Sequence, residues 1–158
     1  MEEYRIDPKK LRTVASCFAT GVTIVSVRTP EGEIHGMTAS SFLSVSLSPP
    51  LVLFSVMHQN QMNEYLSVGV QVGISILTEE MEGVSNHFAK MTVLENPPAF
   101  TEQNETPILS KAHAWYATKV KELIPAGDHV LVLCEVEKLA ANKEDNPLIY
   151  YQGYRKLK

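Results

Sequence analysis

The chain has 158 residues, of which 44% are hydrophobic and 20% charged, a balance typical of one folded domain rather than a disordered chain. With 14 basic and 18 acidic side chains, the formal net charge is −4 and no long basic run occurs. This charge balance argues against nucleic acid or an anionic membrane as the main partner. No apolar run is long enough to span a bilayer.

The cysteines and the start of the chain indicate a compartment. Cys17 and Cys134 are far apart and lack metal-type spacing, so we expect two free thiols in a reducing environment. The polar start, Met1-Glu2-Glu3, is unlike a secretory signal. The sequence therefore predicts one cytoplasmic domain over residues 1–158.

The first third of the chain predicts a helix followed by strands. Asp7 and Pro8 are typical of a helix start, and Gly21 of the residue beyond a helix end. The apolar residues expected on the inner face of this helix are Leu11, Val14, Ala15 and Phe18. Strands are then predicted at 22–28, 34–47 and 51–57.

The rest of the chain adds strands at 70–77, 116–123, 129–136 and 148–151 and two more helices. The helices are a short one at 60–66 and one at 78–90, capped by Thr78, with Met81, Val84 and Phe88 inward. Residues 95–106 are expected to form a loop. About six strands without regular crossover helices predict a mainly β fold, a mostly antiparallel barrel with helical insertions.

The segment from Gly36 to Pro50 carries the main chemical signal. With a period of two, one face is apolar and the other bears small hydroxyls, which are Thr38, Ser40, Ser44, Ser46 and Ser48. Such a row could bind a phosphate or a polyol. A strand with one solvated face is the more frequent origin of this pattern. No dinucleotide-binding, P-loop, metalloprotease or nucleophile-elbow motif occurs in the sequence.

Three later positions have two interpretations each. Phe54-Ser55-Val56 is either a core strand or a strand end whose main chain faces a flat ligand. His129, after Gly127-Asp128, is either structural or a hydrogen-bonding group at a barrel mouth. Lys90 either complements the end of its helix or contacts a phosphate.

Five segments in order resemble one family, the short-chain flavin reductases that supply reduced flavin to two-component flavin monooxygenases, such as those hydroxylating 4-hydroxyphenylacetate. The segments are Phe18 to Val25, Gly36 to Val56, Ser85 to Ala89, Gly127 to His129 and Leu148 to Leu157. The resemblance implies an FMN-binding split barrel, usually a homodimer. It also implies hydride transfer from NADH or NADPH to FMN or FAD, with reduced flavin passing to a monooxygenase component.

The resemblance also assigns a site. The flavin-binding residues it implies are Thr38, Ala39, Ser40, Ser41, Phe54, Ser55, Val56, Gln59, Asn60, Ser85, Phe88 and Lys90, with Tyr154 closing the nicotinamide pocket. It gives His129 the catalytic task of orienting the nicotinamide, and no proton-transfer residue is assigned. Gln59-Asn60 replaces a commoner hydroxyl pair, and Lys90 stands where the family often has glycine. A carrier with tightly bound FMN and a binding module without flavin are the alternative interpretations.

Overall fold

A computed structural model describes residues 5–158, so the acidic start of the chain lies outside the described residues. The first element, α1 (Pro8–Ala15), begins where the sequence predicts: the Asp7 side chain accepts a hydrogen bond from the Lys9 N–H at 3.0 Å. The expected inner face was wrong, because no residue of α1 is buried and Val14 is 63% exposed. The apolar face of α1 is therefore uncovered.

Strands dominate the remaining chain. Within residues 5–158 they are β1 (Thr20–Gly21), β2 (Thr23–Arg28), β3 (Ile34–Ala39), β4 (Leu43–Leu47), β5 (Pro50–Met57), β6 (Gln71–Ile76), β7 (Phe100–Gln103), β8 (Thr106–Leu109), β9 (Ala114–Ala126), β10 (His129–Ala141), β11 (Ile149–Tyr150) and β12 (Tyr154–Arg155). A 3₁₀ helix (Gln61–Glu64) follows β5, and α2 (Glu82–Phe88) follows β6.

Seven strands form the main sheet, in the order β3-β2-β6-β9-β10-β5-β4. Every neighbouring pair is antiparallel, which confirms the predicted mainly β, antiparallel fold class. The sheet is open, since β3 and β4 occupy its two ends. Smaller sheets, β1-β11-β12 and β7-β8, complete the described strands.

Two clusters of buried apolar side chains hold the sheets and α2 together. The larger packs against the seven-stranded sheet and includes Met37, Phe54 and Val132. The smaller lies beneath α2 and includes Ile24, Leu77 and Leu148. Met81, Val84 and Phe88 of the α2 region pack against this second cluster, as the sequence predicts. Each cluster removes apolar side chains from water, and α2 is thereby fixed over β2 and β3.

The prediction of one continuous strand at 34–47 was wrong. The chain leaves the extended conformation after Ala39 and resumes it at Leu43, and a register shift separates Ser44 from Ser46. The hydroxyls of this stretch therefore do not form one row. The expected apolar face is also divided: Met37 is buried, but Leu43 is 56% and Leu47 92% exposed.

Three other predictions need correction. The helix expected at 78–90 begins at Glu82, because Thr78 pairs with Pro147 and the Glu79 N–H donates to the Asn146 carbonyl at 2.9 Å. The helix expected at 60–66 is one short 3₁₀ turn. The loop expected at 95–106 contains β7, which pairs with β8. No helix among the described residues has the length and apolar character required to cross a membrane.

Candidate functional site

A cleft of about 490 Å³ opens where β3, the segment after β5 and the end of α2 meet. Five of the residues proposed for the flavin site line it, and these are Thr38, Gln59, Asn60, Phe88 and Lys90. They come from three separate parts of the chain, so the fold brings together groups that sequence order keeps apart. His35, Gly36 and Met57 line the same cleft, and of these only Gly36 belongs to a segment of the family resemblance.

Gly36 makes one wall of this cleft possible. A Cβ atom at this position would lie 2.7 Å from both Cδ1 and Cε1 of Phe88. The Phe88 ring therefore packs directly on the β3 backbone, a close approach that only glycine allows without movement. An isolated glycine inside a predicted strand is the sequence signal that could have identified this contact.

A second cleft, of about 150 Å³, continues from the first and shares Thr38 and Ala89 with it. Three further residues proposed for the site line it, and these are Ser40, Ser85 and Tyr154. The Thr38 hydroxyl donates to the Ser85 carbonyl at 2.6 Å. The Tyr154 hydroxyl lies 2.8 Å from Ser85 Oγ and donates to Asn86 Oδ1 at 3.0 Å. These bonds join α2 to β3 on one side and to β12 on the other.

A third cleft, of about 260 Å³, shares Val22 and Ser40 with the second and extends to Phe42. Its wall includes Thr20, whose Oγ1 atom is buried without a hydrogen-bond partner among residues 5–158. An unpartnered buried hydroxyl is unusual in a folded protein. The three clefts are neighbours along β3 and the segment that follows it, because each shares lining residues with the next, and together they are called the groove.

The segment after β3 is fixed to β5 by one side chain. Ser41 Oγ accepts a hydrogen bond from the Ser55 N–H at 3.0 Å and donates to the Ser55 carbonyl at 3.2 Å. The side chains of Ala39, Phe54 and Val56 are buried in the larger cluster. None of these three residues lines the three clefts, so the structure does not bring their side chains to the groove.

His129 stands apart from the 490 Å³ cleft, although its directly paired neighbour on β5, Met57, lines that cleft. The His129 Nδ1 atom lies 2.7 Å from Asp128 Oδ1. This hydrogen bond, with the histidine's charge, lowers the pKa of Asp128 below its ordinary value. The ring is therefore oriented by the turn between β9 and β10.

His35 occupies the wall of the first cleft, with its ring centroid 5.1 Å from that of Tyr65. Burial lowers the pKa of His35 below 6.5, the positive charge of Lys90 lowers it further, and Glu64 opposes the change. The surroundings of His35 therefore favour its neutral form. Within residues 5–158, no three His, Cys, Asp or Glu side chains gather as a metal-binding cluster.

Comparison with known proteins places the chain in a family. The model of the flavin reductase-like domain matches residues 15–158. The NADH-dependent flavin reductase StyB of Pseudomonas fluorescens is 36% identical over 149 residues, covering 92% of this chain and 87% of that protein. The reductase component of 4-hydroxyphenylacetate 3-monooxygenase from Thermus thermophilus is 38% identical over 141 residues, covering 89% and 90%.

A solved structure agrees with these sequence relatives. The flavin reductase PheA2 in its native state superposes with a TM-score of 0.87 at 32% identity, covering 97% of this chain and 99% of that one. The chain belongs to the flavin reductase-like domain family. The resemblance described from its five sequence segments is thus confirmed.

Proposed function

We propose that the protein is an NADH-dependent flavin reductase, which transfers a hydride from the nicotinamide to FMN or FAD. The observation that carries this proposal is the groove: eight of the residues that the family resemblance assigns to the flavin and nicotinamide site line two clefts, which share Thr38 and Ala89. The names of the relatives, NADH-dependent flavin reductase and monooxygenase reductase component, support the same activity.

The donor set in the groove suits a flavin nucleotide. Lys90 and the amides of Gln59 and Asn60 lie at one end, where a phosphate would be stabilised by charge and by hydrogen bonds. Ser40 lies in the second and third clefts with hydroxyl and main-chain groups suited to the polar edge of a ring. When bound, the flavin supplies the hydride acceptor and the nicotinamide the donor.

The protein's own task in this reaction is positioning. Hydride transfer needs two rings held in contact, with no proton relay in the protein, so orientation supplies most of the rate. The Thr38, Ser85 and Tyr154 hydrogen bonds fix α2 beside β3 and hold the groove's width. His129, held by Asp128 at 2.7 Å, is the residue proposed to orient the nicotinamide from the neighbouring strand end.

Anaerobic NADH oxidation tests this proposal, with FMN, FAD or no flavin added to the purified protein. We expect NADH to be consumed in proportion to the added flavin over many turnovers. A yellow protein that is reduced once and then stops would show a bound-flavin carrier instead. No flavin binding and no NADH oxidation would overturn the proposal. In the same assay, His129→Ala should raise the KM for NADH, and an unchanged KM and kcat would remove His129 from the site.

Delivery of reduced flavin to a monooxygenase component is the second part of the proposal. It is supported by the relative named as a monooxygenase reductase component. The test for this delivery places the protein, NADH and flavin on one side of a dialysis membrane and an oxygenase component on the other. Product formation across the membrane would show that free reduced flavin is the delivered species, while product only on contact would show direct transfer.

A homodimer is the third part, and β4 supports it. This edge strand pairs only with β5 among the described residues, and its sequence, Leu43–Leu47, carries no charge. Exposed uncharged edges invite pairing with another strand, and a second copy offers the same edge through a two-fold axis. Sedimentation of the wild type and of Val45→Lys tests this arrangement. We expect the wild type to be a dimer and Val45→Lys to be a monomer, and a monomeric wild type would contradict the arrangement.

The cytoplasmic location of the protein stays a prediction.

A further inference from the structure

Lys90 occupies a backbone conformation that a lysine rarely adopts. It follows α2 with a φ of 60°, in the left-handed region. Its N–H donates to the His87 carbonyl at 3.0 Å, and the Met91 N–H donates to the Asn86 carbonyl at 3.0 Å. This is the helix ending in which glycine is most frequent at the left-handed position. A lysine there weakens the helix end relative to glycine, so the backbone alone does not account for it.

The charge of Lys90 also lacks a protein partner. Lys119, Lys121 and Lys156 each lie within 4 Å of a glutamate, whereas Lys90 forms no ion pair with any residue in 5–158. A cation does suit the end of a helix, but α2 has only seven residues. The Lys90 charge instead acts across the first cleft, where it lowers the pKa of His35.

The rest of the cleft suits an anion. His35 is half-buried in the wall of the cleft, where its ring nitrogens can form a hydrogen bond with a ligand. Asn60 uses Oδ1 to accept from the Met62 N–H at 2.9 Å, which leaves its amide N–H groups as donors. Glu64 is the acidic group that acts on His35 from the 3₁₀ helix, and Lys90 opposes it from α2. Donors and one uncompensated cation therefore surround this end of the groove.

We propose that Lys90 binds a phosphate group of the nucleotide in the first cleft, and that it makes this protein select phosphorylated ligands over their unphosphorylated forms. The inference rests on the proposed function and deepens it. The shared chemistry is a phosphate, and its two sources are the flavin nucleotide and the nicotinamide nucleotide. The flavin is the expected source, because most of the residues proposed for its site line this groove.

The test compares FMN with riboflavin, which differs only by the phosphate, in fluorescence titrations of the wild type and two variants. Lys90→Gln removes the charge, and Lys90→Arg retains it. The matched control is Lys111→Gln, because Lys111 is also exposed and also has a left-handed backbone, with a φ of 62°, but lies in the turn between β8 and β9 outside the cleft. The KM for NADH is measured for each protein.

We expect Lys90→Gln to raise the Kd for FMN about 10-fold to 100-fold, as for loss of a charge-assisted hydrogen bond, and to leave the Kd for riboflavin within about twofold. Lys90→Arg and Lys111→Gln should remain close to the wild type. If Lys90→Gln raises the KM for NADH and not the Kd for FMN, the phosphate belongs to the nicotinamide nucleotide. Equal losses for FMN and riboflavin, or no loss for any phosphorylated ligand, would overturn the proposal.

A second measurement separates this inference from the proposed function. Inorganic pyrophosphate is added while His35 is titrated by NMR, in the wild type and in Lys90→Gln. A bound anion beside His35 should raise its pKa in the wild type and much less in the variant. If the wild type binds neither flavin but shows this response, the proposed function is wrong and the phosphate site stands. If pyrophosphate moves the pKa of His35 equally in both proteins, Lys90 is not a phosphate-binding residue.

Discussion

Strands β3 and β4 come from one alternating stretch of sequence but have opposite environments. On β3, Met37 is only 7% exposed, and the other side of the strand is covered by α2. On β4, the equivalent apolar residues face outward, with Leu47 92% exposed. The alternation of residue types therefore determines which side chains share a face, whereas the presence of a covering element determines whether that face is buried.

A break of three residues in the extended conformation separates β3 from β4. Ser40, Ser41 and Phe42 lie outside regular strand, and the Ser41 hydroxyl bonds to both main-chain groups of Ser55. The chain thus passes from one end of the open sheet to the other within three residues. The second and third clefts reach this break through Ser40 and Phe42, whereas the first cleft lies along β3 itself.

Truncating one apolar side chain in each strand gives the largest expected difference. Met37→Ala should lower the free energy of unfolding by about 2–5 kcal/mol, because it leaves a cavity in the larger cluster. Leu47→Ala should change it by less than about 0.5 kcal/mol in the monomer, because the side chain is already in water. Urea unfolding at low protein concentration measures both. Equal losses would show that β4 is covered in the free chain.

Adding one methyl group to β3 should have the next largest effect. Gly36→Ala places a Cβ 2.7 Å from the Phe88 ring, so the ring must move, and we expect a loss of about 1–3 kcal/mol in stability. FMN affinity should fall as well, because Phe88 lines the first cleft. Gly21→Ala is the stability control, since its Cβ meets no atom within 4 Å. A stable variant with normal FMN affinity would show that the ring moves freely.

Removing one hydroxyl from each strand should have a smaller effect. Thr38→Val loses the 2.6 Å hydrogen bond to the Ser85 carbonyl, and we expect about 1 kcal/mol of destabilisation. Ser44→Ala on β4 removes an exposed hydroxyl and should be neutral within about 0.5 kcal/mol. Thermal unfolding of both variants checks this difference. A neutral Thr38→Val would mean that water replaces the hydroxyl at the end of α2.

The smallest expected effect is a dependence on pH that only β3 can provide, because Leu43–Leu47 contains no titratable side chain. The pKa of folded His35 lies below 6.5, chiefly through burial, so the unfolded chain binds the proton more readily. The contribution of His35 to the free energy of unfolding is therefore fully present above pH 6.5 and is lost as the pH falls below that value. His35→Gln should flatten the unfolding free energy in that range. An unchanged pH profile would exclude His35 as the cause.

Local sequence signals predicted those elements whose neighbours are also local. The Asp7 cap, the strand start at His129 and the alternation of β10, with Val132 and Cys134 buried, all agree with the structure. The start of α2 was missed because Thr78 and Glu79 are held by residues 146–147, a contact that no local signal reveals. Pairing with a distant segment therefore prevented the helix from beginning at Thr78, although its side chain is suited to cap a helix.

The candidate site was predictable only in part, for a similar reason. The row of small hydroxyls indicated Thr38 as a binding group, the family resemblance added Ser85 and Phe88, and the fold places all three along the groove. The roles of Gly36 and His35 depend on the position of α2 over β3, which residue spacing does not encode. The family resemblance identified the segments, while the contacts between them required the fold.

The hairpin of β9 and β10 has a consequence for how the chain folds. Its two strands of 13 residues each are joined by two residues, with Gly127 at a φ of 62°, and it lies inside the seven-stranded sheet. Closing so short a loop costs little entropy, so this pair can form before the distant strands arrive. Its two outer edges then act as templates, one recruiting β6 and the other β5. We expect assembly to spread outward from this hairpin, with β3 and β4 joining last.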